Sequence, residues 1–210
     1  MMRHGRQASK RVFDVAFAIV ALVVAAPLML LIGILVRIDG GPVLFRQERV
    51  GQRGELFQMW KFRSMCVDAE NRLAGLLEKN EKKGGVTFKL SNDPRVTTIG
   101  RLIRKTSLDE LPQLFNVLRG QMSVVGPRPP VPVEVAKYDV GAQKRLLVKP
   151  GLTCFWQVGE IDGGLLEVSD RNRIGFEDQV RLDVDYIEKQ SFWLDLKIIL
   201  KTPPAMLLGK

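Results

Sequence analysis

A chain of 210 residues with 46% hydrophobic and 26% charged residues is too apolar for disorder and has room for one domain plus a membrane element, while two full domains would be a squeeze. Lys and Arg number 32 against 23 acidic residues, a formal charge of +9, so the chemistry points to an anionic partner: nucleic acid, anionic lipid or a nucleotide-type substrate. Cys66 and Cys154 stand far apart in no CxxC or Cys/His pattern and read as reduced thiols in a cytosolic compartment, and the lone His4 reads as a surface residue in a basic N-terminus.

Val15 to Val36 is a run of about 22 residues without a charge, enough to cross a hydrocarbon core as a helix. It is longer than the apolar region of a cleaved signal peptide and lacks the polar stripe of a buried soluble helix. Arg3, Arg6, Lys10 and Arg11 precede it; Arg37, Arg46, Arg49, Arg53, Lys61 and Arg63 follow. The positive-inside tendency places both flanks on one side, which a single straight span does not allow. Pro27 removes a backbone donor near the middle, so the sequence predicts a re-entrant helix broken there, with residues 1–39 as anchor and 40–210 as cytosolic body. A bitopic span with the body outside the cytosol is the rival topology. Asp14 is expected to pair with Lys10 or Arg11.

Val43 to Arg63 mixes β-branched and aromatic residues with Gly51 and Gly54 and predicts a hairpin. Asp68 to Lys83 reads as an amphipathic helix stopped by Gly84-Gly85, and Asn92-Asp93-Pro94-Arg95 as a turn. A second helix is expected to start near Ser107. Val131 to Lys149 reads as helical up to Pro150-Gly151, Thr153 to Val158 as extended, and Glu160 to Asp170 as a loop. A helix is expected from Phe176 to Lys189, and then Phe192-Trp193-Leu194 with Ile198 to Leu200, which suits either a helix on the membrane surface or one packed on the core. The fold class is α/β in the loose sense, a helix-rich α+β body on a monotopic anchor.

Two constellations carry chemistry. In Arg104-Lys105-Thr106-Ser107-Leu108-Asp109-Glu110, Ser107 and Glu110 have the spacing of a capping box, which accounts for the acidic pair without any catalysis. The same residues also make a phosphoryl-transfer site: Asp109 as an ionised nucleophile, Glu110 on a divalent metal or the phosphate, and Arg104 and Arg128 offsetting the repulsion of anion by anion. Pro127-Arg128-Pro129-Pro130 presents one guanidinium on a stiff backbone, and equally reads as a rigid connector or docking peptide.

In order along the chain, these motifs resemble the bacterial sugar transferase family of monotopic phosphoglycosyl transferases. The resemblance rests on Lys10-Arg11-Val12-Phe13-Asp14, Phe45 to Gly51, Trp60 to Met65, Asn92 to Arg95, Ser107 to Asn116, Met122 to Pro129, Lys149 to Thr153 and Arg181-Leu182-Asp183. It implies transfer of a sugar 1-phosphate from a UDP-sugar to polyprenol (undecaprenyl) phosphate, with Mg2+ and release of UMP, at the cytosolic face of the bacterial inner membrane. It further implies Asp109 as nucleophile with Glu110 as its partner at the metal, Arg104 on phosphate, and Pro127, Arg128 and Pro129 at the nucleotide end. Nucleic acid then drops out as a partner, and the chain looks like the minimal catalytic form. Two departures stand out: extra residues around Gly159 to Asp170, and Cys154 where many relatives have glycine. The rivals are direct attack by the lipid phosphate with Asp109 only holding metal, and a membrane-tethered basic binding module without catalysis.

Overall fold

The computed structural model describes residues 4–38, 40–73, 75, 76, 90, 92–158 and 175–208. The chain opens with α1 (His4–Arg37), followed by β1 (Leu44–Val50) and β2 (Leu56–Phe62). The strands pair antiparallel from Leu44 opposite Phe62 to Val50 opposite Leu56, and Gly54, at φ 86°, takes a backbone angle in their turn that favours glycine. The predicted hairpin is present. The short α2 (Ala69–Leu73) stands where the long amphipathic helix was expected, and most of that expectation, with Gly84-Gly85, lies outside the described residues, as does the Gly159 to Asp170 insertion.

α3 (Thr98–Lys105), α4 (Gln113–Leu118), β3 (Ser123–Val125), α5 (Pro132–Val135), α6 (Val140–Gln143) and β4 (Gly151–Thr153) follow. β3 and β4 pair parallel, Ser123 opposite Gly151 and Val125 opposite Thr153. The helix expected over Val131 to Lys149 is broken into α5, α6 and a 3-10 turn over Lys144–Leu147, because the Asp139 side chain accepts from Ala142 N (2.7 Å) and caps a new helix start. Thr153 to Val158 is not extended throughout: a 3-10 turn runs over Phe155–Gln157. α7 (Phe176–Lys189) has the bounds predicted, and α8 is Phe192–Leu208.

The main core joins Ala18 of α1, Phe57 and Met59 of β2, Leu114 and Val117 of α4, Val124 and Val125 of β3, Phe155, Tyr186 of α7 and Ile198 of α8. α1 is thus built into the body at one edge, while Gln7–Arg37, which holds an 18-residue stretch of mean hydropathy 3.0, is long and apolar enough to cross a membrane. Its two ends are both fastened to the body. Near the start, Lys10 pairs with Asp195 (2.6 Å), and Arg11 donates to the last carbonyls of α4, Val117 O (2.6 Å) and Leu118 O (2.8 Å). Near the end, Val36 O accepts from Arg63 (2.9 Å), and Ile32 and Val36 pack on Phe62 and Ile103. Helix assignment runs through Pro27 without interruption, so the break predicted there is not seen in the element bounds. Asp14 does lie near Lys10 (3.9 Å), but its stronger contact is an acceptor role toward Val124 N (3.0 Å), binding α1 to β3. α8 packs on the core through the buried Ile198, and Trp193 on its outer side is 75% exposed.

Candidate active site

The site is assembled where β2 meets α3. Beyond β2, Ser64 O accepts from Thr97 N (3.1 Å), and Cys66 N donates to Arg95 O (2.8 Å), so this segment lies alongside the start of α3. A Cβ on Gly100 would sit 1.9 Å from Ser64 O, so this close approach of helix to strand requires glycine. Thr97 Oγ1 accepts from Gly100 N (2.9 Å) and caps α3. The Asn92 to Arg95 turn forms as predicted, with Asp93 accepting from both Arg95 N (2.9 Å) and its guanidinium (2.6 Å).

After α3 the chain does not start a capped helix at Ser107. Ser107 adopts the left-handed conformation (φ 53°, ψ 19°) and makes no side-chain cap, and Leu108–Glu110 form one 3-10 turn. The capping box is therefore absent, and its account of the acidic pair goes with it. The physical reason is burial: Leu108 and Leu111 are drawn against Ile32, Val36, Phe62 and Ile103, which bends the chain away from helix. A non-glycine residue held at positive φ is a local cost that the surrounding packing sustains, and such positions concentrate at functional sites.

That turn places Asp109 inside, 7% exposed, and Glu110 half-buried. Lys61 of β2 holds Glu110 Oε1 at 2.6 Å, and Arg104 of α3 donates from Nε to Ser64 Oγ (2.7 Å). Burial pushes the Asp109 carboxyl up to about 6, with the Glu110 charge adding to the rise and Lys61 and Arg104 opposing it. The structure thus brings together Arg104, Asp109 and Glu110 as predicted, and adds Lys61 and Ser64.

Arg128 falls elsewhere. It is exposed, between the buried Pro127 and Pro129, and its charge is felt by Arg49 and Asp183. The loop that carries it is pinned on both sides. Gly151 N donates to Pro127 O (2.8 Å), Gly126 N to Thr153 O (3.0 Å), and Val50 N to Pro130 O (2.9 Å). Arg49, missed as a site residue by sequence reasoning, donates to Pro129 O (2.8 Å) from a buried position. Burial lowers its pKa to about 10, with the Arg128 charge pushing the same way and Glu134, then Glu110, opposing. The signal that pointed to it was the motif Phe45 to Gly51; the signal for Lys61 was Trp60 to Met65.

A magnesium ion at this turn would have Asp109 and Glu110 as its protein ligands. Among the described residues no group of three or more His, Cys, Asp or Glu side chains converges. Asp109 and Glu110 supply two carboxylates, the number with which Mg2+ is commonly held when phosphate oxygens and water complete its shell. Glu110 would exchange its Lys61 contact to take part.

A buried Asp109 and a half-buried Glu110 with Lys61 and Arg104 beside them, next to a helix apolar enough for a membrane, define a class that sequence comparison supplies by family: residues 5–209 match the bacterial sugar transferase family, and the chain belongs to it. It is 46% identical over 202 residues to a galactosyl transferase, CpsE, of Streptococcus agalactiae, and 43% over 201 residues to the undecaprenyl-phosphate galactose phosphotransferase of Salmonella typhimurium. These alignments take in 96% and 94% of this chain but 42% and 40% of the relatives, so the chain spans about two-fifths of their length. The exopolysaccharide production protein ExoY of Rhizobium meliloti is 43% identical over 206 residues, covering 96% of this chain and 87% of the relative.

Proposed function

We propose that this protein transfers a sugar 1-phosphate from a UDP-sugar to polyprenol phosphate in two steps through Asp109, at the cytosolic face of the bacterial inner membrane. In the first step a carboxylate oxygen of Asp109 attacks the β-phosphorus of the donor; the bond to the bridging oxygen breaks and UMP leaves with the electron pair. In the second an oxygen of polyprenol phosphate attacks the same phosphorus, the acyl phosphate bond breaks and the carboxylate returns. No proton is gained or lost overall. The observation that carries this reading is the burial of Asp109 on the 3-10 turn that follows the left-handed Ser107, beside Lys61, Arg104 and Glu110.

With a pKa of about 6 the carboxyl is about nine-tenths ionised at pH 7, and the desolvation that raises it also strengthens it as a nucleophile. Lys61 and Arg104 offset the approach of one anion to another. Arg128, presented between Pro127 and Pro129 and steadied by Arg49, takes the nucleotide end. When bound, Mg2+ at Asp109 and Glu110 would neutralise charge on the diphosphate. The re-entrant course of α1 is part of the same reading: Lys10, Arg11 and Arg63 fasten both ends of the helix to one body, and Pro27 lacks a backbone donor in between. Names of relatives, among them an undecaprenyl-phosphate glucose phosphotransferase of Komagataeibacter xylinus, support the substrate classes.

Intact-mass measurement of the protein given each of a panel of UDP-sugars, with magnesium and no acceptor, should find an adduct of one sugar phosphate, absent in Asp109→Asn. Product formation from polyprenol phosphate without any adduct would leave direct attack by the lipid as the mechanism. Single cysteines placed before and after α1 in a background lacking Cys66 and Cys154 should both react from the cytosolic side; reaction from opposite sides means a bitopic helix.

A further inference from the structure

A cavity of about 470 Å³ opens beside the first turns of α1, lined by Lys10, Phe13, Asp14, Ser123, Lys149 and Asp195 among others. It shares no residue with the acidic turn or the Arg128 loop. We propose that it is a binding site for the phosphate headgroup of an anionic phospholipid, separate from the site of sugar phosphate transfer.

The polar lining has unmet capacity of one sign. Ser123 is 1% exposed, and its Oγ has no hydrogen-bond partner among the described residues, an uncommon state for a buried hydroxyl. The two carboxylates are already satisfied: Asp195 by Lys10 (2.6 Å) and the Tyr186 hydroxyl (2.6 Å), Asp14 by Val124 N (3.0 Å). Arg11 is committed to the carbonyls at the end of α4. Lys149 is left, half-buried and in no hydrogen bond or ion pair among the described residues; burial and the nearby Arg11 lower its pKa, which the Asp14 charge only partly opposes. An ammonium without a direct ion pair and an unpartnered hydroxyl lining one cavity make a site for an oxyanion.

Position selects the lipid source. The lining residues Lys10, Phe13 and Asp14 immediately precede the uncharged run that begins at Val15, so the cavity stands where α1 enters the membrane. Phe13 and Phe192 meet edge to face at 5.3 Å on its wall, and Phe192 and Trp193 are 54% and 75% exposed, the placement of aromatics at headgroup depth. A free anion has no use for that apolar wall; a glycerol stem does. The inference rests on α1 lying in the membrane and not on the chemistry of Asp109.

The test titrates the full chain in neutral detergent with dihexanoyl phosphatidylglycerol, dihexanoyl phosphatidylcholine or inorganic phosphate, reading the thermal unfolding midpoint. Phosphatidylglycerol should raise the midpoint saturably and the other two should not. Lys149→Gln should weaken its Kd about tenfold and Ser123→Ala about threefold, Lys149→Arg should retain it, and Asp109→Asn should bind as the unaltered protein does. Ser123→Ala removes an unpartnered hydroxyl and should fold normally, so it decides the matter should Lys149→Gln unfold. Unchanged phosphatidylglycerol affinity in Ser123→Ala and Lys149→Gln overturns the proposal; so does an equal shift with phosphatidylcholine, an equal Kd for inorganic phosphate, or loss of binding in Asp109→Asn.

Discussion

Asp109 and Asp183 are both buried carboxyls pushed up to about 6, and burial is the leading cause in each. Their surroundings differ. Asp183, wholly buried on α7, lies 2.8 Å from Arg145, a guanidinium that is itself 3% exposed, and that donates to the Tyr138 hydroxyl (2.8 Å) and lies over the Tyr138 and Phe176 rings. Asp109 has Lys61 and Arg104 as neighbouring charges, and Lys61 spends its direct contact on Glu110. A displaced pKa alone therefore does not distinguish a strut from the nucleophile we propose; partner geometry separates the two. Asp183 has a committed counter-ion from 38 residues away, whereas Asp109 sits on a strained turn with cations held at a remove.

That contrast breaks most visibly under substitution. Asp109→Asn should lower UMP release from UDP-sugar by about a thousandfold or more, on the order of 4 kcal/mol of barrier, with the fold intact by circular dichroism. Asp183→Asn should leave Arg145 with only the more distant Glu134 (3.7 Å) as counter-charge and cost about 3 kcal/mol of stability, seen as an earlier denaturant midpoint, while the remaining folded protein loses far less turnover than Asp109→Asn does. Equal catalytic loss in the two variants would erase the distinction.

The pH dependence sharpens it. In the proposed mechanism Asp109 must be ionised to attack, so kcat/KM should fall on the acid side with a limb at or below the metal-free Asp109 value of about 6, bound magnesium moving it down. The sign for stability runs the other way. A carboxyl raised from 3.8 to about 6 on folding holds its proton more tightly in the folded state, so its charge lowers stability as pH rises through that interval. Asp109→Asn should accordingly be more stable than the parent by on the order of 2 kcal/mol at pH 8, and equal to it below the unfolded value, in paired thermal melts without substrate or metal. The smallest effect belongs to the turn: Ser107→Gly should gain about 0.5–1 kcal/mol by relieving the positive φ.

Sequence patterns carried the regular parts of this fold well. The hairpin from Leu44 to Phe62 followed from β-branched and aromatic residues around Gly51 and Gly54, and the helix expected from Phe176 to Lys189 is α7. α3 escaped notice because Gly100 weakens a short helix; that glycine is explained only by Ser64 O, 36 residues earlier in the chain. The Ser107 turn misled for a related reason, since a local capping pattern competes with the burial of Leu108 and Leu111 against the end of α1. Asp109, Glu110 and Arg104 were legible as a group because they lie six residues apart or fewer. Arg49 and Lys61 were not, because their parts depend on tertiary contacts to Pro129 and Glu110.

The β3–β4 pair has a mechanical side. A Cβ on Gly151 would fall 2.1 Å from Gly126 N, and one on Gly126 would fall 2.5 Å from Lys149 O, so the two backbones touch with nothing compressible between them. Neither glycine can be exchanged for a larger residue without parting the strands, so the seam holds the backbone leading to Arg128 at a fixed spacing from the backbone that follows Lys149.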